Sequence, residues 1–506
     1  MDLVPANEIS QRTEHEANIY RFRVEIAPSV NRRSLVNSMP FDILLLVFQL
    51  LVDIEHRLPW SLSRKIPRYP LTLSHVCTIW RWIVLHSPSL WIRIKFQAGP
   101  ETINLLKGYV DFHSSQASAN PMDIVFGYDI IKGAPEAPSS LSLIQQFAGR
   151  IRSLVLRLNL FNGITSNGVL DAATSKAQGE LITECLRANN GVLERFALSV
   201  LTERPQRVFI SSASTDIDRN SLNIYLPHDE LENVSSHFTD LWLRGVYFNW
   251  ESKAYHGLTS LRLDPTHCYS DSDRGAISEL QLLNLLASSP RLRSLDVGLF
   301  VIRAPNTPDL SPVNLPDLEH LVGEILLLRL VLPGSNDLTL SILGLSDDSF
   351  DMSSDAVVKE FFLRAHIVNF YSDHFFRNIS DICTMLSFVP RLRNLAISHI
   401  DLHDATYNGA THSSLDTLYL LGSCAFGRSI LGDMVDKWAI KRLVFWGENY
   451  IRLVRDMPRP CYITCNQQAL EEEPSDMRIS NARLEFVPRV WGGVAPVELF
   501  VGSPFE

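Results

Sequence analysis

The chain has 506 residues, which at about 150 residues per domain allows about three domains, or fewer if one part is an extended repeat array. Its 46% hydrophobic and 20% charged residues exclude a mostly disordered chain, and the longest apolar run, 43–48 extended to 52, covers about half of the ~20 residues a bilayer span needs. With 46 Lys and Arg against 56 Asp and Glu, the formal charge of −10 disfavours nucleic acid as a partner, and seven scattered cysteines do not read as a disulfide framework. Residues 1–38 read as a flexible extension with a short apolar stripe (Ile19, Phe22, Val24, Ile26) that ends at Pro28. Residues 1–25 lack the apolar region of a secretory signal, so the expected setting is cytoplasm and/or nucleus, with no membrane partner.

At Ser38-Met39-Pro40 a serine can cap, proline suits the first helical turn and Asp42 complements the helix dipole, so a helix is expected over about 40–52. Its residues Phe41, Ile43, Leu44, Leu45, Leu46, Val47, Phe48, Leu50, Leu51 and Val52 are apolar almost all the way round. Either its own domain wraps such a helix or a partner does. Pro59, Pro67 and Pro70 with Arg57, Arg64, Lys65 and Arg68 predict a locally basic loop. Leu73, Val76, Cys77, Trp80, Ile83 and Val84 then recur at helical spacing up to Ser87-Pro88. Leu90, Ile92, Ile94 and Phe96 alternate as in a strand.

These residues carry a resemblance. Met39-Pro40, Ile43-Leu44, Val47-Phe48 and Leu51, then Val76-Cys77 and Trp80, then Pro88-Ser89-Leu90-Trp91, resemble the F-box over residues 39–91. Met39 stands where the family has leucine, and the proline-bearing insertion is longer than in its plainest members. The resemblance implies docking on a Skp-family adaptor of a cullin-RING ubiquitin ligase through Pro40, Ile43, Leu44, Val47, Phe48, Leu51, Val76, Cys77 and Trp80. An ordinary helical bundle in which Cys77 and Trp80 are core is the plainer reading of the same spacing.

Beyond residue 97 the pattern L-x-x-L-x-L recurs with conservative replacements, starting at Ile151, Leu193, Phe238, Leu258, Leu292, Leu392, Leu415 and Ile440, with a partial copy at 318–321. Intervals of 20 (238 to 258), 26 (292 to 318), 23 (392 to 415) and 25 (415 to 440) fall in the range of leucine-rich repeats. Residues 338–343 and 367–370 are weaker strand candidates. Leu286-Ala-Ser-Ser-Pro290-Arg-Leu-Arg-Ser-Leu295 returns 100 residues later as Leu386-Ser-Phe-Val-Pro390-Arg-Leu-Arg-Asn-Leu395. Helical stretches are expected at 141–148, 179–188, 277–287, 356–364, 379–388 and 429–438, and inserted loops at 161–176 and 203–221.

The expected fold is therefore α/β: a three-helix F-box-like module (39–91), then an irregular leucine-rich-repeat-like solenoid (92–450) with parallel strands on its concave face and helices on its convex face, and a C-terminal cap or tail (451–506). The asparagine such repeats carry after each strand is missing, as in Val297-Gly298-Leu299-Phe300, so the turns must be held differently. Residues between the buried leucines point out of the sheet, which makes Trp242, Arg244, Arg262, Asp264, Asp296, Tyr419, Arg442 and Trp446 candidates for binding a protein substrate. No G-x-S-x-G, P-loop, H-E-x-x-H or G-x-G-x-x-G occurs, and Cys461-Tyr-Ile-Thr-Cys465 is a weak metal half-site that reads better as a strand. The expectation is a non-enzymatic substrate receptor with no cofactor or metal, the alternatives being a non-ligase interaction scaffold and a hydrolase whose site assembles from distant residues.

Overall fold

The computed structural model describes residues 35–57, 68–98, 103–117, 119–129, 148–159, 172–187, 192–201, 208–212, 221–265, 275–303, 310–343, 356–373, 375–376, 378–398, 400–402, 415–421, 424–426, 428–446, 451–453, 461–463 and 483–487. The expected apolar stripe at 19–26, most of the proline-bearing loop and most of the helix at 141–148 lie outside these residues.

Fourteen strands form one sheet: β1 (Arg93–Ala98), β2 (Met122–Asp129), β3 (Ile151–Asn159), β4 (Arg195–Leu201), β5 (Asp240–Arg244), β6 (Ser260–Asp264), β7 (Ser294–Val297), β8 (His320–Gly323), β9 (Leu338–Leu343), β10 (Ile367–Asp373), β11 (Asn394–Ser398), β12 (Thr417–Leu421), β13 (Arg442–Trp446) and β14 (Arg483–Val487). Their order in the sheet is their order in the chain, and every neighbouring pair is parallel. A doubly wound sheet reverses its strand order at a switch point. This sheet never reverses, so it grows by adding one unit after another, as a solenoid does.

One register line shows what holds it. Ile94, Ile124, Leu154, Phe196, Leu241, Leu261, Leu295, Leu321, Leu340, Phe370, Leu395, Leu418 and Leu443 are successive partners across the strands, and each is buried. The side chain of one strand covers that of the next, so no unit closes its core alone. Every strand start inferred from L-x-x-L-x-L, and both weaker candidates, belongs to this sheet.

Helices α1 (Phe41–Arg57), α2 (Leu71–Ser74) and α3 (Thr78–Leu85) precede β1. Among the described residues, seven more lie between strands: α4 (Ile103–Gln116), α5 (Ala172–Arg187), α6 (His228–Ser235), α7 (Glu279–Ala287), α8 (Ala356–Arg364), α9 (Ile379–Phe388) and α10 (Arg428–Lys437). Their buried side chains, such as Ile182, Leu282, Phe361, Ile382 and Met434, join the same core as the register line, so these helices cover that face of the sheet. α7 starts at a capping box, with Ser278 Oγ accepting from the Gln281 N–H and Gln281 Oε1 accepting from the Ser278 N–H. Both Pro-Arg-Leu-Arg segments form the same turn between a helix and a strand: α7 leads into β7 and α9 into β11.

Several boundaries differ from expectation. α1 continues past 52 because its polar last turn is tied down: Asp53 pairs with Arg93, and the Glu55 carboxylate accepts the N–H groups of Arg68 and Tyr69, both at 2.8 Å. Within the supposed loop 161–176, residues from Ala172 onward are already helical. The supposed loop 203–221 contributes Val208–Ser212 and the first residue of Ser221–Ile224, which form a small parallel sheet with Val246–Phe248. Such short sheets replace the missing asparagines. After a main strand the chain turns, as at Gly245 with φ of 71°, and adds a second short strand that pairs with that of a nearby unit. Ala276–Ser278 with Phe300–Ile302 and Asp401–Leu402 with Ala425–Phe426 repeat the device. Cys461–Ile463 is a strand of this kind, antiparallel to Ile451–Leu453.

Candidate functional site

Two surfaces carry the residues singled out from the sequence. The first is α1. Leu44, Phe48 and Val52, spaced four apart, are buried in the common core, and Phe48 lies 4.7 Å from the ring of the partly buried Trp80. Trp91, fully buried, donates its Nε1–H to the Val84 carbonyl at 2.8 Å and fastens α3 to β1. The opposite stripe of α1 remains in solvent: Phe41, Ile43 (47% exposed), Leu46, Val47, Leu50 (53%) and Ile54 (59%). Trp82 of α3, 55% exposed, meets Phe41 edge-on at 5.8 Å, so the stripe runs on to a second helix.

The nine candidates of the helical module therefore divide. Pro40, Ile43, Val47 and Val76 are exposed, while Leu51, Cys77 and Trp80 are partly buried. Leu44 and Phe48 point inward and serve the chain's own core, and so are unavailable to a partner. Phe41, Leu46, Leu50, Ile54 and Trp82 were not selected as site residues, although 43, 46, 47, 50 and 54 already lie on one helical face. Exposed apolar faces of this kind are a common feature of interaction surfaces.

Where α1, β1 and α4 meet, burial governs the titratable groups. His113 packs 4.8 Å from the Trp91 ring and 4.1 Å from the Tyr109 ring, and burial pushes its pKa down to about 3. Burial also lowers His56 and raises Tyr109. Lys95, whose Nζ donates to the His56 carbonyl at 3.0 Å, is pushed down to about 8 by burial and then by the charge of Arg157.

The second surface is the sheet face away from the core, where the line Val155, Ala197, Trp242, Arg262, Asp296 crosses β3 to β7 in register. Trp242 is only 5% exposed, which corrects its role as an exposed anchor. The guanidinium of Arg262 sits 5.0 Å from its ring centroid and that of Arg157 5.7 Å, and its Nε1–H donates to Asp264 Oδ2 at 2.8 Å. Arg262 Nε also reaches Asp264 Oδ2 at 2.8 Å and Asp296 Oδ2 at 3.2 Å. Burial, with the neighbouring Asp264 carboxylate, pushes Asp296 up to about 7, and Arg262 opposes that shift. Asp264 and Asp296 thus serve first as internal partners of Arg262. Arg244 is half-buried beside this group.

The remaining candidates stand apart. Tyr419 lies in the same register line five strands beyond Asp296 in chain order, within a second apolar cluster with Tyr371, Ala396 and Leu421. Arg442 is exposed on β13, and Trp446 ends that strand in register with Leu421; its side chain lies outside the description. The structure brings together Trp242, Arg244, Arg262, Asp264 and Asp296 and leaves Tyr419, Arg442 and Trp446 as a separate group. Arg157, missed because an arginine inside a strand looks solvent-facing, belongs with the first.

Fold and surfaces define an α/β protein built on one chain-ordered parallel sheet. Among the described residues no helix is long and apolar enough to cross a membrane, and no group of three or more His, Cys, Asp or Glu is placed to hold a metal ion. No protein-family model matches the chain, and no curated protein matches it.

Proposed function

We propose that this chain is a substrate receptor: α1 and α3 dock on a Skp-family adaptor of a cullin-RING ubiquitin ligase, and the second face of a degenerate leucine-rich-repeat array holds a target protein. One observation carries the adaptor half of this reading. α1 has two apolar stripes and its own domain uses one, leaving Ile43, Leu46, Val47, Leu50 and Ile54 in solvent. These side chains are already about half-buried, so covering each against a partner is worth ~1 kcal/mol, and the five together contribute to a complex after the costs of association. Pro40 immediately precedes α1, Leu51 lies on it, Val76 is exposed just before α3, and Trp82, edge-on to Phe41, extends the stripe. The repeat intervals and the unbroken register line support the array reading. A receptor of this kind needs affinity and geometry, because holding the target beside the charged conjugating enzyme raises the effective concentration of its lysines.

The test is co-purification of a Skp-family adaptor with the full chain and with a Val47→Asp, Leu50→Asp variant. Binding by the parent and its loss in the variant, with an unchanged melting temperature, is the expected result. A folded parent that binds no adaptor favours a non-ligase interaction scaffold.

A further inference from the structure

On the face away from the core, the five successive strands β8 to β12 differ in character from those before them. His320, Thr339, Asn369, Asn394 and Thr417 are successive register partners across them, with no Asp, Glu, Lys or Arg among the five. The same row is charged further back at Asp240, paired with Arg195 at 3.4 Å, and again at Arg442, the partner of Thr417 on β13. The Asn394 Nδ2–H donates to Asn369 Oδ1 at 2.8 Å and the Asn369 Nδ2–H to Thr339 Oγ1 at 3.0 Å, so both amides are held in one orientation along the row. A side-chain amide has two N–H donors and two acceptor lone pairs, so these bonds use only part of what each offers. His320, Asn369 and Asn394 are half-buried and so still reach the surface. The adjoining row, Val322, Ser341, Tyr371, Ala396 and Tyr419, is uncharged as well. Its last three members form an apolar cluster with Leu343 and Leu421, of which Leu343 and Tyr419 are half-buried. Among the described residues, Asp373 is the only Asp, Glu, Lys or Arg that these five strands turn to this face.

We infer that this half of the face holds an extended, uncharged segment of the target polypeptide, its main chain along the amide row and its apolar side chains against Leu343 and Tyr419. An asparagine side chain carries the donor and acceptor of a peptide group in one plane, so it can bond both the N–H and the C=O of a main-chain unit laid beside it. The mutual hydrogen bonds of Asn369, Asn394 and Thr339 fix those groups in advance, which lowers the ordering cost of binding. Five strands make four spacings, about 19 Å in all, the length of about six extended residues. A charged segment there gives up water without gaining a counter-ion, which is unfavourable. The charges of this face lie elsewhere, since Arg157, Arg262, Asp264 and Asp296 belong to β3 to β7, so the face divides into a charged half and a neutral half. The inference rests on reading this face as the target-binding surface and does not depend on the adaptor.

The test uses the full chain carrying Val47→Asp and Leu50→Asp, so that the α1 stripe captures nothing. Random dodecapeptides displayed on phage are selected on it, the most enriched one is synthesised with a fluorescein label, and anisotropy gives its affinity; labelled maltoheptaose is the second probe. The expected result is enrichment of peptides rich in apolar and poor in charged residues. Binding of the synthesised peptide should weaken by at least about tenfold in Asn394→Leu with an unchanged melting temperature, and roughly fivefold in Thr417→Val, an isosteric change that decides the matter if the asparagine variant does not fold. Methylation of single main-chain nitrogens of the peptide should weaken binding by at least about tenfold at one or more inner positions, because it removes a donor and leaves the side chains in place. No enriched peptide, enrichment of acidic or basic peptides, equal binding in folded Asn394→Leu and Thr417→Val, tolerance of methylation at every position, or tighter binding of maltoheptaose overturns the inference. Failure of peptide binding with adaptor co-purification intact removes this site alone.

Discussion

Arg262 and Asp296 face each other across adjacent parallel strands, Nε to Oδ2 at 3.2 Å, and Asp264 takes the same nitrogen at 2.8 Å. One guanidinium thus serves two carboxyls, that of Asp296 buried and that of Asp264 half-buried. Burial and the charge of Asp264 both disfavour the ionised form of Asp296.

That relationship sets a pH dependence. Asp296 has a folded pKa near 7 against an ordinary value of 3.8, so the folded state binds its proton more tightly than the unfolded one. Its contribution to stability is fully present below about 4 and is lost as pH rises through about 7. Urea unfolding of the wild type and Asp296→Asn across this range should show the wild type losing stability relative to the variant as pH rises. Parallel curves would remove Asp296 as the titrating group.

His113 works in the opposite direction. Its folded pKa lies near 3 against an ordinary 6.5, so the unfolded chain takes up the proton first. The stability that comes from keeping it neutral is present above about 6.5 and is lost as pH falls toward about 3. His113→Phe should flatten the acid limb of the stability profile over that interval. His56, lowered by burial as well, should leave a residual slope in this variant.

The two stripes of α1 make separable demands. Phe48→Ala removes a fully buried ring that packs on Trp80 and should cost ~3–5 kcal/mol in chemical denaturation. Leu50→Ala, on the exposed stripe, should change stability by no more than about 0.5 kcal/mol while weakening any complex formed through α1. A large stability loss for Leu50→Ala would show that the stripe is covered within the chain.

Trp242 allows its hydrogen bond to be separated from its ring. Trp242→Phe keeps an aromatic face for Arg157 and Arg262 but leaves Asp264 without the indole donor, for an expected loss of about 1–2 kcal/mol. Trp242→Ala should cost ~3–5 kcal/mol because the ring is buried. Equal losses in the two variants would place the energy in the hydrogen bond and leave little for the stacking.

The strands were readable where an apolar residue stands three positions before the first buried strand residue, as Leu292 stands before Leu295. β2 and β14 escaped this pattern because Pro121 and Asn481 occupy the leading position, and their alternation, Ile124 and Phe126 or Leu484 and Phe486, is too short to stand out. The helix bounds at 356–364 and 379–388 were legible to the residue, since apolar positions recur at helical spacing up to a clear break. α4 and α6 were not, because their apolar faces are thin: in α6 only Leu231 and Val234 are apolar and buried.

By itself the sequence determined that leucines recur at intervals suited to stacked strands, and that α1 carries more apolar surface than one core can use. Both are local, periodic properties, and period is what a linear text displays. Tertiary structure alone decided which residues meet. It turned Leu44 and Phe48 inward and Ile43 and Leu50 outward, covered Trp242 with two guanidiniums, and aligned Thr339, Asn369 and Asn394 across strands 30 and 25 residues apart. Alternation shows that such a side chain leaves the core face; whether it then reaches solvent or a neighbour depends on cross-strand partners that no spacing along the chain records.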